Sequence, residues 1–185
     1  MAQPAVDVRR WTREEYEQLV ETGFFSPEER LELVDGLIYE MTPHTTWHAT
    51  AILNCEEELR AIFPEGFHVR TQLPLALGSH AEPEPDLAVV PGRRRDYRTG
   101  HPTLAVLVVE VSETSAQYDR EVKRKLYAEA GIPEYWLLYP RAEQLEVLRE
   151  PQDGDYTSGT LLGPADTVTP LATTGAMIRV ADLLP

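Results

Sequence analysis

Asp86, Glu110 and Lys123 are the residues in this chain whose types and placement could handle a phosphate ester. Glu110 closes the apolar run Leu104-Ala105-Val106-Leu107-Val108-Val109, near the carboxyl end of a segment that reads as a strand covered on both faces. A carboxylate there needs a partner, a proton or a metal, because an unpaired buried charge is costly. Asp86 heads a second apolar run, Leu87-Ala88-Val89-Val90, just after Pro83-Glu84-Pro85. Taken singly, Asp86 reads as a turn residue, whereas Glu110 already points to a site, a structural carboxylate tied to amides or an arginine being its lesser alternative. On neighbouring strands they would form a pair of hard oxygen ligands suited to Mg²⁺ or Mn²⁺, at the strand ends where α/β sheets bind ligands. Lys123 could bring the cation. Asp119, Lys123 and Tyr127 are spaced i, i+4, i+8 along one helical face, beside an apolar face of Val122, Leu126 and Ala130. The same spacing also fits a plain Asp119–Lys123 surface pair, worth roughly a few tenths of a kcal/mol.

The elements that must position these residues are legible as patterns. Thr12 and Glu15 form a capping box for a helix to Glu21, ended by Gly23, and Ser26 with Glu29 repeats the signal for one turn. Leu31–Val34 and Leu37–Met41 flank Asp35-Gly36 and predict a hairpin. Thr45–Phe63 predicts the longest helix, with Ile52, Leu59, Ile62 and Phe63 on its apolar stripe and Cys55 nearby. Strands are expected over Val69–Leu77, edged at Pro74, over Asp86–Val90 and over Leu104–Val111. A helix over Tyr118–Ala130 follows, stopped by Gly131 and Pro133. Glu134–Tyr139 and Gln144–Arg149 read as paired strands, Gly154–Thr174 as turn-rich chain, and Met177–Leu184 as a last short element. With no repeat or linker, the 185 residues are expected to form one α/β domain.

Pro85-Asp86 on one strand and Glu110 on the next resemble the PD-(D/E)XK nuclease superfamily. Three stretches further resemble a large bacterial family of restriction-endonuclease-like proteins. They are Glu32-Leu33-Val34-Asp35-Gly36, then Val109-Glu110-Val111-Ser112 with Tyr118-Asp119-Arg120-Glu121-Val122-Lys123, and Tyr127-Ala128-Glu129-Ala130-Gly131-Ile132-Pro133-Glu134-Tyr135-Trp136. The resemblance runs from about Glu14 to Leu148. It implies a restriction-endonuclease-like core, a mixed central β-sheet flanked by helices, and hydrolysis of phosphodiester bonds in DNA. The superfamily's lysine two places after the glutamate is Ser112 here, and Lys123 matches the position this family uses. On this reading Asp86, Glu110 and the backbone carbonyl of Val111 hold Mg²⁺ or Mn²⁺, and Lys123 orients the attacking water or stabilises the transition state. Glu32 matches an acidic residue near the start of the family's core and could complete the metal shell through water; its plainer reading is an exposed hairpin carboxylate. His48 also recurs in the family, though a histidine in a helix's first turn is usually surface or structural. Gln72, Ser112, Asp119 and Tyr127 are accessory candidates. Two other functions fit the same residues: a nuclease-fold binding or assembly module without catalysis, and a metal-dependent hydrolase of a small phosphorylated substrate.

Composition narrows the field. A formal charge of −14 opposes a broad, sequence-independent grip on nucleic acid, yet says nothing of local fields. Basic residues cluster at Arg93, Arg94, Arg95 and Arg98 and at Arg120, Lys123, Arg124 and Lys125. The one cysteine, Cys55, excludes an internal disulfide, and Met1–Trp11 lacks the order of a secretory signal, so a cytoplasmic setting is expected. No apolar run approaches the roughly 20 residues that span a bilayer. The five histidines show no two- or three-ligand spacing for zinc, and there is neither a Gly-rich phosphate loop nor a Gly-x-Ser-x-Gly elbow. Self-association is expected, a dimer being suited to cutting both strands of a duplex. Tyr135, Trp136 and Tyr139 are assigned to the core rather than to an interface.

Overall fold

Alternation along one strand explains how the fold is layered. In β5 (Leu107–Val111) the side chains of Leu107, Val109 and Val111 join one apolar cluster, with Ala51, Ile52, Cys55 and Leu59 of α2 (Thr46–Ile62). Val108, from the opposite face, joins a second cluster with Tyr127, Ala128 and Tyr135. Successive side chains of a strand point to opposite faces, so Glu110 shares the face of Val108. That face is covered by the helix that follows β5. The continuous apolar run is therefore a strand buried between two helical layers.

The computed structural model describes residues 8–41, 43–113 and 115–185; the first residues of the chain, including most of Met1–Trp11, lie outside the described residues. The central sheet has six strands in the order β3 (Phe67–Thr71), β4 (Leu87–Pro91), β5, β6 (Glu134–Tyr139), β7 (Gln144–Gln152), β8 (Asp155–Leu162). Only β5 and β6 run parallel; every other neighbouring pair is antiparallel. The parallel pair needs a crossover. It is supplied by a helix that begins as α3 (Ala116–Tyr118), widens into a π-helical stretch over Asp119–Lys123 and continues as α4 (Arg124–Glu129). Outside the sheet lie α1 (Arg13–Glu21) and the hairpin β1 (Leu31–Val34) with β2 (Leu37–Glu40). A small pair of strands, β9 (Thr167–Val168) and β10 (Ile178–Arg179), leads into α5 (Val180–Leu183), which packs with α2. No helix among the described residues is long and apolar enough to cross a membrane.

Local signals act where their chemistry demands. Thr12 and Glu15 exchange the reciprocal bonds of a capping box, and Thr45 caps α2 by accepting from the His48 amide. Asp35 and Gly36 both take positive φ in the β1–β2 turn. Three expectations are corrected. The strand predicted over Val69–Leu77 ends at Thr71, because Gln72 turns into the left-handed region at φ 51°. Leu104 stays outside β5 and is half exposed. The segment from Gly154, read as turn-rich, begins with the strand β8, paired with β7 around a second Asp-Gly turn at Asp153-Gly154. Its exposed Thr157, Gly159 and Thr160 suit a sheet edge, where no apolar alternation is required.

Glu82 is paired through its backbone with Leu33, and its buried side chain leaves Oε2 without a hydrogen-bond partner. Burial, and then the neighbouring Glu17 carboxylate, push its pKa up to about 8. The folded protein therefore retains a proton that the unfolded chain has already released, and stability falls as pH rises from about 4.5 to about 8. Glu82→Gln should raise Tm at pH 8, by roughly 2–4 °C for each kcal/mol recovered in a chain of this size. The gain should shrink towards pH 5 in thermal scans across that range.

Candidate active site

β4 and β5 pair with Leu87 opposite Val109, so Asp86, one residue before β4, comes beside Glu110. The Asp86 amide donates to Glu110 Oε2 at 3.2 Å, and the Val111 amide donates to Asp86 Oδ2 at 2.9 Å. The two carboxylates are thus bolted together through backbone at one end of the sheet. From the opposite layer, His48 in the first turn of α2 places Nε2 3.1 Å from Asp86 Oδ1. Burial alone would raise Asp86, but the His48 contact and the Val111 amide hold its carboxyl below the ordinary value.

The crossover helix delivers the cation. Lys123 Nζ lies 3.0 Å from Glu110 Oε1 and 3.1 Å from Glu32 Oε2. Lys123 is 5% exposed, Glu110 3% and Glu32 2%, which rules out both the surface-pair reading of Lys123 and the exposed-hairpin reading of Glu32. Asp119 is not the lysine's salt-bridge partner. It accepts instead from Ser112 Oγ at 2.8 Å and Ser115 Oγ at 2.6 Å. Tyr127 donates its hydroxyl to Glu110 Oε1 at 2.8 Å, and the Glu84 amide donates to Glu32 Oε2 at 3.1 Å. The π-helical stretch, marked by the Arg124 amide donating to the Asp119 carbonyl five residues back, lies where Asp119 and Lys123 turn inward. Asp119, Lys123, Tyr127 and Ala128 are consequently the buried positions of this helix. Val122 and Leu126, expected to face the core, are only partly covered, and Ala130 is exposed.

These residues line a cavity of about 260 Å³, with Glu32, Asp86, Glu110, Asp119 and Lys123 in its wall and Arg30, Tyr39, His44 and Tyr118 among the other lining residues. Burial, opposed by Lys123 but reinforced by Asp86, Asp119 and Glu32, pushes Glu110 up to about 8. Burial also raises Asp119 against the pull of Lys123 and its two serines. Lys123 answers in kind: burial disfavours its charge, yet Glu110, Glu32 and Asp119 hold it well above its ordinary value. The site is short of positive charge. Oxygen donors in excess over a single ammonium fit a hard divalent cation, with Asp86 and Glu110 the residues able to hold it.

Gln72 stands apart from the carboxylates; its Nε2 contacts His44 at 3.1 Å. His44 itself was not among the expected residues. It stacks on His48, ring centroids 4.3 Å apart and 6° from parallel, and with His48 and Asp86 offers ligand atoms within 4.8 Å of one another. The spacing of four between the two histidines was the available signal, and the expectation that no histidines combine is corrected. Burial, His48 and Arg30 keep His44 below its ordinary pKa. Of the basic clusters, Arg93, Arg94, Arg95 and Arg98 line a depression beyond the far end of β4, about 17 Å of strand from Asp86. Arg120 pairs with Glu146 and Arg124 with Asp155.

Comparison with known proteins bears on this arrangement. The sequence profile of the Uma2 family, described as "Putative restriction endonuclease", matches residues 13–181. Among solved structures, a "putative nuclease belonging to DUF820 from Anabaena variabilis ATCC 29413" superposes with a TM-score of 0.73 at 17% identity, covering 93% of this chain and 96% of that one. At that identity the likeness concerns the fold. Comparison with curated proteins finds no match.

Lys123→Met would leave Glu32 and Glu110 buried without their cation and should lower unfolding free energy by roughly 3–5 kcal/mol. Adding Glu110→Gln should cost less than the sum of the two single changes, because they share one interaction. Denaturant titration of the two single variants and the double variant checks this.

Proposed function

The chain belongs to the Uma2 family, and with that as premise we propose that it is a divalent-metal-dependent endonuclease hydrolysing phosphodiester bonds in DNA. The observation that carries the reading is the buried Asp86–Glu110 pair, joined through backbone at the end of adjacent strands and faced by Lys123 from the crossover helix. Asp86 and Glu110, with the Val111 carbonyl and with Glu32 through water, would hold Mg²⁺ or Mn²⁺. When bound, such an ion lowers the pKa of a water and neutralises charge developing on the scissile phosphate.

The protein's own groups do the positioning. Tyr127 and the Asp86 amide fix the two oxygens of Glu110, while His48 and the Val111 amide fix those of Asp86. Lys123 can turn one of its three N–H groups to an attacking water or to a phosphate oxygen while keeping Glu110 and Glu32. The charge count supports the reading: with Glu110 retaining a proton up to about pH 8 in the unliganded centre, the carboxylates of Glu32 and Asp86 still outnumber Lys123 and repel an anion, and a dication would reverse that. Ser112 and Ser115 act on Asp119, and through it on the helix that carries Lys123. The same reading makes residues 1–185 one nuclease domain working in the cytoplasm as a homo-oligomer, with DNA its substrate.

The test is cleavage of single-stranded, duplex and branched DNA with Mg²⁺ or Mn²⁺. Activity should vanish with chelator, and Asp86→Ala or Glu110→Ala should lower the rate by at least about 10²–10³-fold, the scale of losing one group that stabilises developing charge. Circular dichroism should stay unchanged. Undiminished cleavage by either variant would sink the assignment. Mg²⁺ binding without cleavage of any substrate would identify a nuclease-fold binding module instead.

A further inference from the structure

His44 and His48 are left over once the carboxylate centre is described, and they converge on Asp86. His44 precedes α2 and is held by stacking on His48 in its first turn. Arg30 Nη1 lies 2.9 Å from His44 Nε2; a guanidinium has only N–H groups to give, so this nitrogen acts as an acceptor. Arg30, His44, His48 and Asp86 all line the cavity. A neutral imidazole lone pair therefore sits at the cavity wall, covered by Arg30 and by Gln72 Nε2 at 3.1 Å, two long side chains that can withdraw. His48 Nε2 and Asp86 Oδ1 are 3.1 Å apart.

The geometry points to a second cation site, in which His44, His48 and Asp86 bind a divalent transition ion of the zinc class. Two imidazoles and one carboxylate are a donor set such ions prefer, whereas Mg²⁺ seeks oxygen. A single ion with bonds of about 2.1 Å spans at most about 4.2 Å between ligand atoms. The three ligand atoms lie within 4.8 Å of one another, so small side-chain rotations close the set. Three protein ligands leave a coordination position open towards the cavity, where a water or an anionic oxygen can bind. The site shares Asp86 with the proposed nuclease centre but uses neither Glu110 nor Lys123, and it stands whether or not the protein cuts DNA.

Calorimetry on the untagged full chain, with ZnCl₂ and separately with MgCl₂, tests it. One Zn²⁺ should bind wild type more tightly than Mg²⁺ does. His44→Ala and His48→Ala should each weaken Zn²⁺ by more than about tenfold, beyond the low end of losses seen for mere supporting groups. Glu110→Gln should leave Zn²⁺ affinity nearly unchanged. Should a histidine variant fail to fold, ring ¹H–¹⁵N spectra of wild type decide: of the five histidines, His44 and His48 should shift on adding Zn²⁺. Zn²⁺ affinity unchanged by either histidine substitution, equal loss in Glu110→Gln, or ring shifts confined to other histidines would overturn the proposal.

Discussion

The ammonium of Lys123, buried between Glu110 and Glu32, is the interaction on which the arrangement depends. It joins three elements of the fold: the crossover helix, the central strand β5 and the outlying β1–β2 hairpin. Each would otherwise carry an unpaired charge into the interior, a cost that several kcal/mol of packing would have to offset. The β1–β2 hairpin pairs only with itself among the named strands; the Leu33–Glu82 bridge, the Tyr16 hydroxyl on the Leu31 carbonyl and the Gly36 backbone bonds to Trp11 and His80 tie it to the rest, and Glu32 adds its bonds to Lys123 and to the Glu84 amide.

Burial of a carboxylate does not by itself mark chemistry, and the same sheet contains the counterexample. Glu134 is fully buried, yet its Oε1 accepts from Arg149 at 2.6 Å and from Trp136 Nε1 at 2.9 Å, and its Oε2 from the Leu171 amide at 2.8 Å. It is balanced by its own arginine and has no cavity beside it among the described ones. Glu110 has the opposite situation: one lysine shared with Glu32, Asp86 alongside, and open volume in front. Deficit of positive charge next to a cavity, rather than burial, separates a site that can take a cation from a structural ion pair.

Much of this was readable beforehand because the signals were local. A carboxylate closing an apolar run located Glu110, the Thr12–Glu15 capping box set the start of α1, and an Asp-Gly pair placed the hairpin turn. What escaped reading was set by tertiary context. The inward turn of Lys123 comes with a π-helical stretch that no side-chain spacing announces, so ideal helical geometry left a surface salt bridge open and put Val122 and Leu126 towards the core. Glu32 became buried only because a distant helix brings it a lysine. β8 was missed because an edge strand needs no apolar alternation, although Asp153-Gly154 carried the same turn signal as Asp35-Gly36. His44 went unnoticed because it lies outside the helix whose periodicity was read.

A crystal of the full chain soaked in MnCl₂ and measured at the manganese absorption edge tests the central claim most directly. The account predicts an anomalous peak within bonding reach of both Asp86 and Glu110, with Lys123 still in contact with Glu32. A well-ordered crystal with no peak there, or with manganese only at surface carboxylates, would contradict it.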